Sequence, residues 1–160
     1  MQKTLIRSFT LLATALIVNS ASFAVQNNHH SDHGIIIPSE MKWSDGPDSL
    51  PKGAQVAVLE GDLKKPGPFT LRLKFPANYR IAPHWHPVTE HVTVLSGSLY
   101  MGMGDNFDEN NTTEIPVGGF AYMQPKSHHF AFTRDATEIQ LHGVGPWGIT
   151  YINPKDDPRK

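Results

Sequence analysis

Three histidines and a glutamate crowd into eight residues at His84-Trp85-His86-Pro87-Val88-Thr89-Glu90-His91. In an extended chain residues two apart share a face, so His84 and His86 point one way and Trp85 the other. A reverse at Pro87-Val88-Thr89 can return Glu90 to the same side as the next β-type run begins. Two imidazoles and a carboxylate converging on one interior point suit Zn, Fe, Mn or Ni. Farther along, Lys126-Ser127-His128-His129-Phe130 offers a fourth ligand at the mouth of another strand. Three His and one Glu leave one or two positions open on a five- or six-coordinate metal. An open position separates a site that binds substrate from a purely structural one. His91 follows Glu90 on the opposite face and is expected to be a bystander.

The chain has no cysteine among its 160 residues, which excludes thiolate metal sites, disulfides and cysteine nucleophiles. Any metal must be held by His, Asp or Glu. The elements that would position those ligands are short. Apolar or alternating runs lie at Ala54-Glu60, Phe69-Phe75, His91-Leu95, Ser98-Met103, Gly119-Gln124, Phe130-Thr133, Glu138-Gly143 and Gly148-Ile152. Turn residues such as Lys65-Pro66-Gly67, Gly104-Asp105-Asn106 and Arg134-Asp135 punctuate them. No window within the domain sustains helical periodicity, so the pattern predicts an all-β sandwich or barrel of about eight strands. Asp105 to Thr113 reads as a polar surface loop. Arg72 and Lys74 alternate with Leu71, Leu73 and Phe75 and are expected on a solvated face. Trp43, Trp85 and Trp147 read as packing residues.

The first 24 residues follow a different logic. Lys3 and Arg7 are followed by an apolar run from Phe9 to Val18 and then by Ser22-Phe23-Ala24. Basic, apolar, then small is the signature of a secretory signal peptide, and ten apolar residues give only ~15 Å of helix against a ~30 Å hydrocarbon core. Cleavage near Ala24 would place the protein outside the cytoplasm, secreted or periplasmic. No second long apolar run would then hold it in a membrane. Losing Lys3 and Arg7 takes Lys+Arg from 14 to 12 against 15 Asp+Glu, a formal charge of -3 that disfavours nucleic acid as a partner. The expected organisation is a signal peptide at 1–24, a flexible mature N-terminus at 25–34 bearing His29, His30 and His33, one domain at 35–153, and a charged tail at 154–160.

His84-Trp85-His86, three residues, Glu90, six residues and Gly97 resembles the first motif of the cupin superfamily, HxH(x)3E(x)6G. The resemblance covers roughly Gln55 to Ile152 and implies a double-stranded β-helix, the jelly-roll barrel, in agreement with the strand count. It implies a metal held by His84, His86, Glu90 and a histidine of the second motif, G(x)5PxG(x)2H(x)3N. Started at Gly118, that motif meets Gln124 at the proline, Lys126 at the glycine, His129 at the histidine and Thr133 at the asparagine. Started at Gly119, it keeps Pro125 but meets Phe130 where the histidine belongs. The first register is preferred, with His129 as fourth ligand and His128 as the alternative. The glycine that opens the first motif is replaced by Asn78, a residue that tolerates positive φ.

Tyr122 and Gln124 share a face of one run, and Gln140 and His142 a face of another. Where those faces point into the barrel, the four would line a substrate pocket; otherwise they are surface. FAYMQPKSHHFAF and LHGVGPWGITYINP also resemble dioxygenase-like single-domain cupins and zinc-binding anti-sigma cupin domains. Three readings follow. The first is a metal-dependent enzyme of dioxygenase type acting on a small oxygenated molecule, with decarboxylase or isomerase chemistry as variants. The second is a metal- or ligand-binding sensor, and the third a barrel without metal. The resemblance also implies a homodimer.

Overall fold

The computed structural model describes residues 33–160; the signal-peptide expectation and most of the 25–34 segment lie outside the described residues. Eleven strands succeed one another: β1 (Ser44–Asp45), β2 (Gln55–Glu60), β3 (Gly67–Phe75), β4 (Arg80–Trp85), β5 (Glu90–Ser96), β6 (Leu99–Met103), β7 (Thr113–Ile115), β8 (Phe120–Met123), β9 (His129–Phe132), β10 (Thr137–Gly145) and β11 (Thr150–Tyr151). They form two antiparallel sheets, one in the order β1-β2-β3-β10-β5-β8 and the other β11-β4-β9-β6-β7. The fold is all-β, as the spacing of turn residues predicts, and it is the jelly-roll that the cupin resemblance implies.

β3 shows why these runs become strands. Phe69, Leu71, Leu73 and Phe75 are buried while Thr70, Arg72 and Lys74 alternate with them on the outer side. Each of those inner side chains is worth about 1.5–3 kcal/mol by leaving water. The outer cations are not idle. Arg72 reaches Glu138 at 3.2 Å across the ladder, and Lys74 lies 4.0 Å over the Trp43 ring. β10 runs between β3 and β5 and buries Thr137, Ile139 and Leu141 on the core side. From the facing sheet, Leu99, Ile115, Ala131 and Tyr151 complete the core.

Three strands escape the sequence pattern. β1 is two residues long and wholly exposed. β4 contains Pro83, which lacks a ladder donor, and its pairing with β9 shifts register between Ile81 and His84. β7 begins at the polar end of the Asp105–Thr113 loop and buries only Ile115. That loop is less solvated than its composition suggests, because Phe107 packs on Phe130 and Phe132 from outside, at ring separations of 4.9 and 6.0 Å.

Tight turns hold the two motif segments in register. Asn78 and Lys126, which stand where the motifs have glycine, take φ of 58° and 63°; they are the non-glycine residues with positive φ among those described. The backbone demanded by the missing glycines is therefore kept. Lys126 N–H donates to the His86 carbonyl at 2.8 Å and ties the second motif to the first. Gly97 has φ 71°, and a Cβ there would stand 2.5 Å from the Ala136 carbonyl oxygen, so that turn admits no side chain. Thr133, at the asparagine position, is buried; its Oγ1 donates to the Pro76 carbonyl at 2.8 Å and accepts from Tyr79 N–H at 3.2 Å.

Thr133→Val keeps the volume but strands the buried Tyr79 N–H and frees the Pro76 carbonyl, and should lower unfolding stability by about 1–2 kcal/mol in a denaturant titration. Lys126→Gly should raise stability by about 1 kcal/mol, because the left-handed strain it relieves exceeds glycine's entropic penalty. A lower thermal midpoint for that variant would show that the lysine side chain itself stabilises the turn.

Candidate metal centre

His84 comes from the end of β4, His86 from just beyond it, Glu90 from the first residue of β5, and His129 from the first residue of β9. His84 and His129 are direct cross-strand partners in the five-stranded sheet, whereas Glu90 belongs to the six-stranded one. The four thus meet across the interior between the sheets. All are 1–4 % exposed. One ring nitrogen each from His84, His86 and His129 lies within 4.8 Å of the others. Glu90 Oε1 is 3.4 Å from His86 Nε2, and its Oε2 is 3.6 Å from His129 Nε2.

The orientation of every ring is fixed by a backbone carbonyl. Nδ1 of His84 lies 2.7 Å from the Ala82 oxygen, Nδ1 of His86 2.7 Å from the Gly148 oxygen, and Nδ1 of His129 3.0 Å from the Ser127 oxygen. A carbonyl only accepts, so each Nδ1 carries the hydrogen. Nε2 of a neutral ring is then a bare lone pair, and this is how metal-ligating histidines are held. Burial, then the neighbouring His129 and His86, keeps the His84 pKa well below its ordinary value. Burial also lowers that of His86, against the opposing pull of Glu90.

Burial by itself would raise the Glu90 pKa, yet His86, His129 and the Trp147 indole outweigh it and the net shift is downward. Two of those attractions presume positive imidazoles, whereas burial favours a neutral His86. Three lone pairs and a carboxylate converge with no donor among the four, and His86 Nε2 is a buried atom without a hydrogen-bond partner. Such a cluster is unfavourable in a dry interior unless a cation occupies its centre. The donor set, nitrogen and oxygen without sulfur, fits a divalent transition metal.

The space around the cage is small and apolar. A cavity of about 40 Å³ adjoins it, walled by side chains such as Ile81, Val92, Met101, Ile139 and Leu141. Trp147 covers His86 face to face, with ring centroids 4.8 Å apart and an interplanar angle of 17°. Its indole N–H is buried and close enough to the Glu90 carboxylate to lower its pKa, although the contact falls short of a full hydrogen bond. The pattern had marked Trp147 for packing only; no periodic signal places it, because it follows Pro146 in a loop between strands.

The other candidates fall elsewhere. His128 lies outside the cage, 40 % exposed, with Nδ1 2.5 Å from Asp105 Oδ1. The faces carrying Tyr122, Gln124, Gln140 and His142 point outward, so these four do not line the cavity. Ile139 and Leu141 take the inner side of β10, which sends Gln140 and His142 out. Met123 does the same to its neighbour Tyr122, which is 60 % exposed. His91 is on that outer face as well, stacked on His142 at 4.8 Å.

No curated protein matches the sequence. Among solved structures, the chain resembles the polyketide cyclase RemF of Streptomyces resistomycificus, with a TM-score of 0.66 at 14 % identity over 79 % of this chain and 90 % of that one. It also resembles a candidate acetylacetone dioxygenase of Methylibium petroleiphilum, with a TM-score of 0.60 at 17 % identity over 79 % and 85 %. An RmlC-like cupin of Shewanella frigidimarina gives 0.55 at 11 % identity over 70 % and 90 %. At such identities the likeness is one of fold. The sequence comparison is more specific: residues 31–147 match the family described as the ChrR cupin-like domain. With that match spanning most of its length, the chain belongs to the ChrR cupin-like domain family.

Proposed function

We propose that His84, His86, Glu90 and His129 hold one divalent transition metal, Fe, Mn, Zn or Ni, and that the protein is a metal-dependent oxidoreductase of dioxygenase type acting on a small oxygenated organic molecule. The observation that carries the metal reading is the acceptor-only cage: three carbonyl-oriented imidazoles and a buried carboxylate, with no donor among them. A bound metal would supply Lewis acidity and, if redox-active, electrons for O₂ chemistry. The chain's own residues do the rest. The carbonyls of Ala82, Gly148 and Ser127 keep the rings in one tautomer, and the apolar walls exclude water. Glu90 brings the net charge at the centre of the cage down to about +1 with a dication in place, which eases electron release while keeping attraction for a substrate oxygen.

A second reading, metal or ligand sensing without catalysis, is favoured by the cavity itself. Apart from the four cage residues its lining offers the Trp147 N–H as the one polar side-chain group, with no further acid or base. The identity of the metal divides the two readings, since zinc has no redox function. We further infer export from Lys3, Arg7, the Phe9–Val18 run and Ser22-Phe23-Ala24.

Purified, reconstituted protein should bind one metal per chain. At a metal concentration a thousandfold above Kd, binding should stabilise the fold by about 4 kcal/mol, read as a raised thermal midpoint. His86→Ala and Glu90→Gln should each weaken the metal by at least ~100-fold and remove most of that gain. An unchanged metal Kd in both variants would defeat the assignment. Intact mass of protein recovered from its native host should correspond to a chain beginning at Val25; a retained Met1–Ala24 segment would reject export by cleavage.

A further inference from the structure

The 40 Å³ cavity at the cage has room for little more than a water molecule or two, far less than an organic substrate needs. It shares three wall residues, Leu50, Leu73 and Trp147, with a cleft of about 410 Å³ that opens toward β1, β2 and the Gly61–Lys64 turn. That volume lies in the range of small-molecule sites. Val56, Val58 and Leu63 continue its apolar lining, and Asp45, Asp62 and Lys64 sit among the residues around it. The Asp62 carboxylate is taken up within its own turn, by Lys64 N–H at 2.9 Å and Lys65 Nζ at 3.1 Å.

The wall between cleft and cage is anchored on both sides. The backbone N–H of Trp147 donates to the Leu63 carbonyl at 2.7 Å. The segment that brings Leu50 over the cavity is held by two tyrosines, Tyr151 Oη on the Ser49 carbonyl at 2.8 Å and Tyr79 Oη on that of Pro51. Within this wall the indole Nε1–H of Trp147 is buried and makes no full hydrogen bond, the Glu90 carboxylate being the acceptor near it. A buried donor short of a full hydrogen bond, at the boundary between the cage and an apolar cleft, is a place for a ligand oxygen.

We propose that the cleft is the ligand site of this protein. It takes the apolar body of a small molecule whose single oxygen-bearing end reaches the cage past Trp147 and accepts the indole N–H. The ligand class is thus a molecule with one oxygenated end and a largely hydrocarbon body. The oxygen-to-metal part rests on the metal reading above; the cleft does not.

Hydroxamates of increasing chain length test both parts, because their paired oxygens anchor on a metal while the alkyl tail probes the cleft. On metal-loaded protein, calorimetry should show octanohydroxamate binding at least ~10-fold tighter than acetohydroxamate, since each buried methylene is worth about a fourfold gain. Val58 is 52 % exposed, so Val58→Glu should leave the fold and acetohydroxamate binding unchanged while abolishing most of the tail's gain. Trp147→Phe should weaken both hydroxamates by about fivefold, the worth of one hydrogen bond, and keep the ratio between them. Equal affinities for the two probes, or a Val58→Glu variant with the wild-type ratio, would overturn the cleft. Should the protein hold no metal, octan-1-ol titrated against it decides: binding lost in Val58→Glu supports the cleft, and absence of binding to the wild type rejects it.

Discussion

The site depends on where three backbone carbonyls point. Those of Ala82, Ser127 and Gly148 each face an Nδ1, and a carbonyl has nothing to give, so the proton on each ring is fixed and the opposite nitrogen is bare. Lone pairs aimed at one another and at a carboxylate repel in a medium that cannot screen them. The rest of the fold reads as the apparatus that nonetheless keeps them together: a bulged β4, a turn at Lys126 bonded to His86, and an indole laid over the most crowded ring.

How far the sequence discloses this differs from residue to residue. The convergence of His84, His86 and Glu90 is legible because strand alternation and a three-residue reverse are local rules. His129 is legible only through a worn motif, and the structure shows why wear is tolerated: Lys126 and Asn78 adopt the backbone that glycine would have, so the turn outlives the residue type. The faces of Tyr122 and His142 were open to either reading, since alternation fixes which residues agree but not which side is the core. Burial of Ile139, Leu141 and Met123 breaks that symmetry, and only facing strands supply it. Trp147 was out of reach for a different cause. Its role comes from contact with His86, sixty-one positions earlier, through a loop with no period.

Family membership constrains the fold far more than the reaction. Structures of similar architecture include a cyclase and a candidate dioxygenase, so the barrel alone does not select a chemistry. What is particular to this chain is the lining. Beside the cage stand branched aliphatics and one indole, with no lysine or arginine to receive a second anionic group. A small, dry cavity also sharpens electrostatics, because every charge within it is felt at low effective dielectric.

Because His84 and His129 belong to one sheet and Glu90 to the other, the cage has no counterpart in a partly assembled chain. His129 is also separated from the His84–Glu90 segment by some forty residues of β5 to β8, so its arrival waits on long-range strand pairing, the slow kind of folding step. A cation caught by the full set would therefore be caught late, after the barrel has closed, and would have to leave through a wall rather than a hinge. Exchange of the ion is then governed by the wall of Leu50, Leu73 and Trp147 that parts cage from cleft, so its residence time becomes a clock for the motion of that wall.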